Sequence, residues 1–223
     1  MTIRPTYVCD PSMEVRPADA QQLDDLLLQV QQRVDKKERV LVIALTKRDS
    51  EDLASFFHNQ DIASTYLHSG LDTMKRSQAQ RRLQTGDSDV LVGGNCLREG
   101  LDLPQVSLVA VLHADSEGFL RSESALLQVV GRAARHKNGH AIFYANRITK
   151  SMKACLDLTE KRRAMQLAYN EEHGLEMKTS TGSSIQSLFE LLQVSIEREK
   201  EATLFDTDRY ETTPVSALDR LEK

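Results

Sequence analysis

Apolar positions along this chain fall into two alternating textures. Short runs rich in β-branched residues occur at 40–45, 62–67, 89–92, 106–112 and 141–145, and read as buried strands. Between them lie segments whose apolar positions recur at helical spacing. The first is 20–37, with Leu23, Leu26, Leu27, Val30 and Val34 on one face and Asp19 as its candidate N-cap. The others are 47–60, with Leu53, Phe56 and Phe57 on one face; the polar 72–84, ended by Gly86; 122–135; and a long charged stretch, 149–172, stopped at Gly174. Strands apolar on both faces and separated by helices imply an α/β fold, a parallel sheet with helices on both sides. Its crossovers are expected to be right-handed. In open sheets of this kind, function is expected to collect at the loops beyond the carboxyl ends of the strands.

The two ends of the chain have a different texture. Residues 1–19 hold Pro5, Pro11 and Pro17 and read as an extended lead-in, because proline fixes its own φ and keeps the preceding residue out of the helical region. Residues 20–175 form the α/β domain. Residues 176–223 begin with a Thr/Ser/Gly-rich linker near 178–184 and form an acidic tail. In it Ile185, Leu188, Leu191, Leu192 and Ile196 predict a helix over 185–202. The tail has 6 basic and 10 acidic residues, against 23 and 23 in 1–175, so the whole net charge of −4 resides there. Any nucleic-acid contact must then come from local basic patches rather than bulk charge.

Cys9, Cys96 and Cys155 are far apart and odd in number, which suggests buried, inert thiols rather than a zinc site or a disulfide framework. No apolar run is long enough to span a membrane, and the first residues lack the apolar core of a secretory signal, so the cytoplasm is the expected location.

Three segments carry candidate chemistry. The most informative is Gln128-Val-Val-Gly-Arg-Ala-Ala-Arg135. On a helix, positions 128, 132 and 135 share a face and would present one amide and two guanidinium groups. Gly131, Ala133 and Ala134 are small and allow close approach to another backbone. Two arginines held at one face suit a polyphosphate, since the guanidinium is permanently charged, planar and bidentate. The plain alternative is a pair of surface salt bridges. The second segment, Val92-Gly-Gly-Asn-Cys-Leu-Arg-Glu-Gly-Leu-Asp-Leu-Pro104, places Arg98, Glu99 and Asp102 beside Gly93, Gly94 and Gly100 on a loop after a strand. The third has His68 and Ser69 after one strand and Thr46 and Lys47 after another. Those residues are suited either to a nucleic-acid phosphate or simply to capping the helices that follow. No G-x-x-x-x-G-K-[ST] motif occurs, so the chain has no P-loop. No metal site is expected: His136 and His140 are four apart, but Gly139 puts a turn between them.

The order of these segments resembles the C-terminal RecA-like lobe of superfamily-2 helicases. It is more closely similar to the UvrB family of bacterial nucleotide excision repair. The close stretches are Ile3-Arg-Pro-Thr6, Leu45-Thr-Lys-Arg48, Leu97-Arg-Glu-Gly-Leu-Asp102, Glu117-Gly-Phe-Leu-Arg-Ser122, Gly131 to Arg135 and Tyr169-Asn-Glu-Glu-His-Gly174. The resemblance covers about residues 3–176. It implies that Arg132 and Arg135 face ATP bound by another lobe, with Gln128 and Gly131 shaping their helix. Arg98, Glu99, Gly100 and Asp102 would couple nucleotide state to DNA, and Thr46, Lys47, His68 and Ser69 would lie near the DNA strand. ATP and Mg²⁺ would be bound only together with a P-loop lobe, so the chain alone is expected to be inactive. Implied partners are DNA and UvrA-like and UvrC-like repair proteins. The sequence departs from the family pattern at Gly70 and His113, where Asp is usual.

A second reading is a non-catalytic module that binds DNA or a repair protein, or a fragment of a longer UvrB. Its basic cluster would be Arg147, Lys150, Lys153, Lys161, Arg162 and Arg163, on a helix that also carries Asp157 and Glu160. A plainly solvated charged face is the alternative there.

Overall fold

The computed structural model describes residues 3, 4, 6–94, 103–116, 118–177 and 179. Six strands form one parallel sheet: β1 (Ser12–Arg16), β2 (Arg39–Ile43), β3 (Ser64–Leu67), β4 (Val90–Gly93), β5 (Val106–Val111) and β6 (His140–Tyr144), in the order β1-β6-β5-β2-β4-β3. Among the described residues, four α-helices lie between strands, α1 (Gln22–Val34), α2 (Lys47–His58), α3 (Thr73–Thr85) and α4 (Glu123–Val130), and α5 (Lys150–Glu172) follows β6.

The sheet is buried on both faces because its central strands are apolar at nearly every position, Arg39 and Ser107 excepted. Along β2, Leu41 and Ile43 point to one side with Leu83, Leu91, Val109, Val129, Phe143 and Met152. Val40 and Val42 point to the other with Leu26, Val30, Leu53, Phe57, Val92 and Ile142. Helices α3, α4 and α5 therefore cover one face, and α1 and α2 the other. Each fully buried aliphatic side chain contributes roughly 1.5–3 kcal/mol relative to leaving it in water.

Local signals set the helix ends. In α2, Thr46 Oγ1 accepts from Asp49 N–H at 3.0 Å, and Asp49 Oδ2 accepts from Thr46 N–H at 3.0 Å, a reciprocal capping box. Asp72 accepts from Lys75 N–H at 2.8 Å and Thr149 from Met152 N–H at 3.2 Å, capping α3 and α5. Gly86 ends α3 at φ +90°, and a Cβ there would lie 2.6 Å from the Arg39 guanidinium.

Four expectations need correction. Residues 12–16, assigned to a lead-in outside the domain, form edge strand β1 and pair with β6 from Ser12↔His140 to Arg16↔Tyr144. Backbone pairing outweighs the polar Glu14 and Arg16, whose side chains form an ion pair of their own at 3.0 Å. Asp19 does not cap α1; its carboxylate accepts from Gln21 N–H at 2.9 Å in a turn, and the helix starts three residues later. The helix expected over 122–135 stops at Val130. Residues 131–136 continue as tight turns closed by bonds such as Arg132 N–H to Val129 O at 3.0 Å and Ala134 N–H to Gly131 O at 3.2 Å. The fourth concerns which edge of the sheet carries the arginines, and is taken up with the site. The helix predicted over 185–202 lies outside the described residues.

Cys9 and Cys155 are buried and free, and burial pushes both thiols up, Cys155 to about 11; Cys96 lies outside the described residues. Among the described residues no helix is long and apolar enough to cross a membrane.

Leu41→Ala, in the middle of the sheet, should cost about 2–5 kcal/mol of unfolding free energy in urea titration. Met74→Ala, at a position 73% exposed, should stay within about 0.5 kcal/mol of the parent.

Candidate functional site

The chain leaves β5, passes a short 3-10 turn at Phe119–Arg121 and returns across the sheet as α4. Ser122 caps that helix through Ala125 N–H at 3.4 Å. Arg121 is buried and donates to the Leu112 carbonyl at 2.9 Å and the His113 carbonyl at 3.3 Å. It therefore fixes where α4 begins relative to the carboxyl end of β5. His113 adopts φ +48°, so one of the two positions departing from the family pattern sits in the left-handed region.

Where α4 ends, Gln128, Gly131, Arg132 and Arg135 line one cavity of about 200 Å³ together with Leu103 and Leu127. Gln128 and Arg135 are exposed and Arg132 is half-buried. The structure thus brings the sequence-predicted residues together, but for a different local reason. They converge because a helical turn runs into tighter turns, not because one continuous helix face presents them.

Two contacts hold this turn. The Ala133 carbonyl approaches Gly139 so closely that a Cβ at 139 would lie 2.3 Å from it. Arg4 donates to the Ala134 carbonyl at 2.7 Å and pairs with the buried Asp10, while its backbone N–H donates to Gln166 Oε1 at 2.7 Å. The small residues Ala133 and Ala134 are themselves buried, so the close approach they allow is to this chain's own backbone. The bond from Arg4 to residue 134 spans 130 positions and leaves no local signal in the sequence.

Behind the turn, Glu38 is buried just before β2. It accepts from Asn138 Nδ2 at 3.0 Å and from Arg33 at 3.3 Å, and His136 lies 4.0 Å away. Burial pushes the Glu38 carboxyl up, but the polar surroundings of Ser107, Asn138, His136 and Arg33 outweigh it and hold the group below the usual carboxylate range. Burial pushes the His136 and His140 rings down.

Position relative to the sheet is the fourth correction. Leu103 precedes β5, and residues 131–139 lead into β6, so the arginine cavity lies where strands begin. A crossover helix must carry the chain back from the carboxyl edge, and its end is delivered to the opposite one. The carboxyl edge instead holds Thr46, Lys47, His68 and Ser69. There Thr46 caps α2. His68 Nε2 lies 2.8 Å from Glu51 Oε1, its Nδ1 accepts from Gly70 N–H at 3.1 Å, and its ring stacks on Tyr66 at 5.6 Å. A Cβ at Gly70 would lie 3.5 Å from Lys47 Nζ, so Lys47 is brought beside His68, with Lys47 and Ser69 exposed. Arg98, Glu99, Gly100 and Asp102 lie outside the described residues. The basic cluster of α5 does not form one face: Arg163 turns inward to the Asp10 carbonyl at 2.7 Å, while Lys150, Lys153, Lys161 and Arg162 are exposed with Asp157 and Glu160 among them.

Residues 19–137 match the family model of the helicase conserved C-terminal domain. The chain belongs to this family. Within this helicase C-terminal domain chain, residues 143–181 also match the model of ultra-violet resistance protein B. It is 46% identical over 99% of its length to UvrABC system protein B of Bacillus cereus, covering 32% of that protein. It is 56% identical over 79% of its length to UvrABC system protein B of Pseudomonas aeruginosa, covering 26% of that protein. The chain thus spans about a third or less of the length of these relatives. Among solved structures, that of the Escherichia coli DEAD-box protein SrmB bound to regulator of ribonuclease activity A superposes with a TM-score of 0.51 at 26% identity. It covers 60% of this chain and 76% of that one.

Two outcomes test this helicase domain's turn. Arg4→Ala should speed amide hydrogen exchange at Ala134 and Arg135 more than in the central strands; uniform acceleration would mean Arg4 supports the whole fold rather than the turn. His136 and His140 are held below their ordinary 6.5 in the fold, so the unfolded chain binds more protons as pH falls from about 6.5. Stability should drop across that range, and again below about 4.5 as Glu38, whose folded value is depressed, is protonated. His136→Gln should flatten the first of these losses in thermal melts.

Proposed function

We propose that this chain is the second motor lobe of a UvrB-like, DNA-dependent ATPase of nucleotide excision repair. The observation that carries the reading is the single cavity that gathers Gln128, Gly131, Arg132 and Arg135 at the end of α4. Two guanidinium groups and an amide around a small polar cavity fit the oxygens of a polyphosphate. The chain itself has no P-loop, so ATP and Mg²⁺ would be held by a separate lobe and meet these arginines across an interface. There Arg132, half-buried and fixed by the turn, would stabilise charge on the transferring phosphoryl group, and Arg135, more exposed, would bind and orient it. Gln128 would orient the same group by hydrogen bonding. The relatives' name, UvrABC system protein B, supports assigning the motor to excision repair, with UvrA-like and UvrC-like proteins as partners.

DNA would run along the other edge, over Lys47, His68 and Ser69. Lys47 supplies charge and the Tyr66–His68 pair a flat surface for a base. Thr46 would contribute through its hold on the start of α2. Arginine cavity and DNA edge are thus separated by the sheet, which suits a lobe that converts nucleotide state into movement along a strand.

The reading is tested by ATP turnover with single-stranded DNA, using this chain alone and mixed with a separately made P-loop lobe of a UvrB. Turnover should occur only in the mixture and fall about a thousandfold with Arg132→Ala. Unchanged turnover in that variant sinks the arginine's role, and no turnover in a mixture shown to associate points to a non-catalytic binding module. In the same mixture, Lys47→Ala should weaken DNA binding and reduce its salt dependence by about one phosphate contact.

A further inference from the structure

The turn that forms the arginine cavity also walls a second cavity, of about 370 Å³, on its other side. Arg33 from the last turn of α1, Lys137 from the turn itself and Arg163 from α5 line it, with Ser12, Asn138 and His140 between them. Three elements distant in sequence thus converge three cations on one space. The nearby carboxylates are largely committed elsewhere. Asp10 pairs with Arg4, Glu14 with Arg16 at 3.0 Å, and Glu38 takes Asn138 together with one nitrogen of Arg33. Arg163 spends its one recorded bond on a neutral carbonyl, that of Asp10 at 2.7 Å. Neither Arg163 nor Lys137 forms an ion pair with a carboxylate among the described residues.

We propose that this second cavity is a phosphate-binding site, holding one phosphoryl group between Arg33, Lys137 and Arg163. Cations from three directions match a tetrahedral oxyanion better than the flat, two-oxygen face of a carboxylate, and guanidinium forks bind its oxygens in pairs. The volume, near the lower end of ordinary ligand sites at about 300 Å³, fits a phosphate with its attached sugar rather than a longer stretch of strand. The phosphoryl group has two possible sources, a free phosphate ester or a nucleic-acid backbone. The field at His140 agrees with the site. Burial lowers that ring first, then Arg33, with Arg16 acting the same way and Glu14, 3.6 Å from Nε2, opposing them. A bound phosphate would reverse that balance and raise the ring. Because Lys137 follows Arg135 by two residues, an occupant would also stiffen the turn that carries the arginines. The site itself needs no second lobe and stands apart from the motor reading.

The test is an NMR titration of the full chain, with total ionic strength held constant by chloride. The probes are inorganic phosphate and oligothymidylate with and without a 5′-phosphate. The amides of Asn138, Gly139 and His140 should shift saturably, and the His140 ring should titrate at higher pH when the site is filled. Lys137→Glu, at an exposed side chain, should weaken binding about tenfold or more, as should Arg163→Gln, whereas Lys75→Glu on α3 should leave it unchanged. Binding of inorganic phosphate and of the 5′-phosphorylated oligomer only would identify a free or terminal phosphate. Equal binding of both oligomers, falling steeply with salt, would identify the backbone. The proposal is overturned if no probe gives a saturable shift at these amides, or if Lys75→Glu weakens binding as much as Lys137→Glu.

Discussion

Every strand of the sheet runs in the same direction, so after each one the chain must cross a face of the sheet to begin the next. This constraint organises the rest. It requires helices on both faces, which in turn requires strands apolar on both faces, as β2, β4 and β5 are but for Arg39 and Ser107. It also sorts the residues able to do chemistry. A loop that leaves a strand sits at the carboxyl edge, where Lys47 and His68 lie, and the end of a returning helix sits at the opposite edge, where Arg132 and Arg135 lie. Two groups of candidate residues, separated by the sheet, follow from connectivity.

At the edge where strands begin, the arginine turn is held by polar anchors as well as by the packing of Ala133 and Ala134. Arg4 reaches its carbonyl from the start of the chain, Asn138 ties it to the buried Glu38, and the Ala133 carbonyl fills the space that a side chain at 139 would need. Such anchors fix position with directional bonds, the fixity that the proposed meeting with a nucleotide across an interface would need. They are also sensitive to protonation, since the Glu38 carboxylate with its His136 neighbour and the His140 ring farther along each favour one charge state.

Much of the fold was legible because its signals were local. Runs such as Val40 to Ile43 have no polar face, and Thr46, Asp72 and Thr149 cap helices within three residues of their own position. What was not legible depended on distant partners. Strand β1 carries Glu14 and Arg16 between two prolines and becomes a strand only because β6 is there to pair with it. The segment Gly131 to Arg135 has respectable helix formers, yet closure onto Gly139 tightens it into turns. The candidate residues Gln128, Arg132 and Arg135 stand out in the sequence through their spacing, and they still line one cavity after that change of geometry. Arg4, Glu38 and Arg163 were not singled out as anchors, because their partners are 130, 100 and 153 residues away.

The placement of β1 has a consequence for how the molecule is made. On a ribosome the chain emerges from its amino end, so Ser12 is in solution long before its neighbour His140, 128 residues later, exists. At roughly 5–20 residues per second that delay is about ten seconds. Throughout it, β2, β4 and β5 can already assemble while the first strand and Arg4 remain outside. A strand made before the rest of its sheet is therefore among the last to dock, and the turn bearing the arginines takes its final shape only when that earlier segment closes over it.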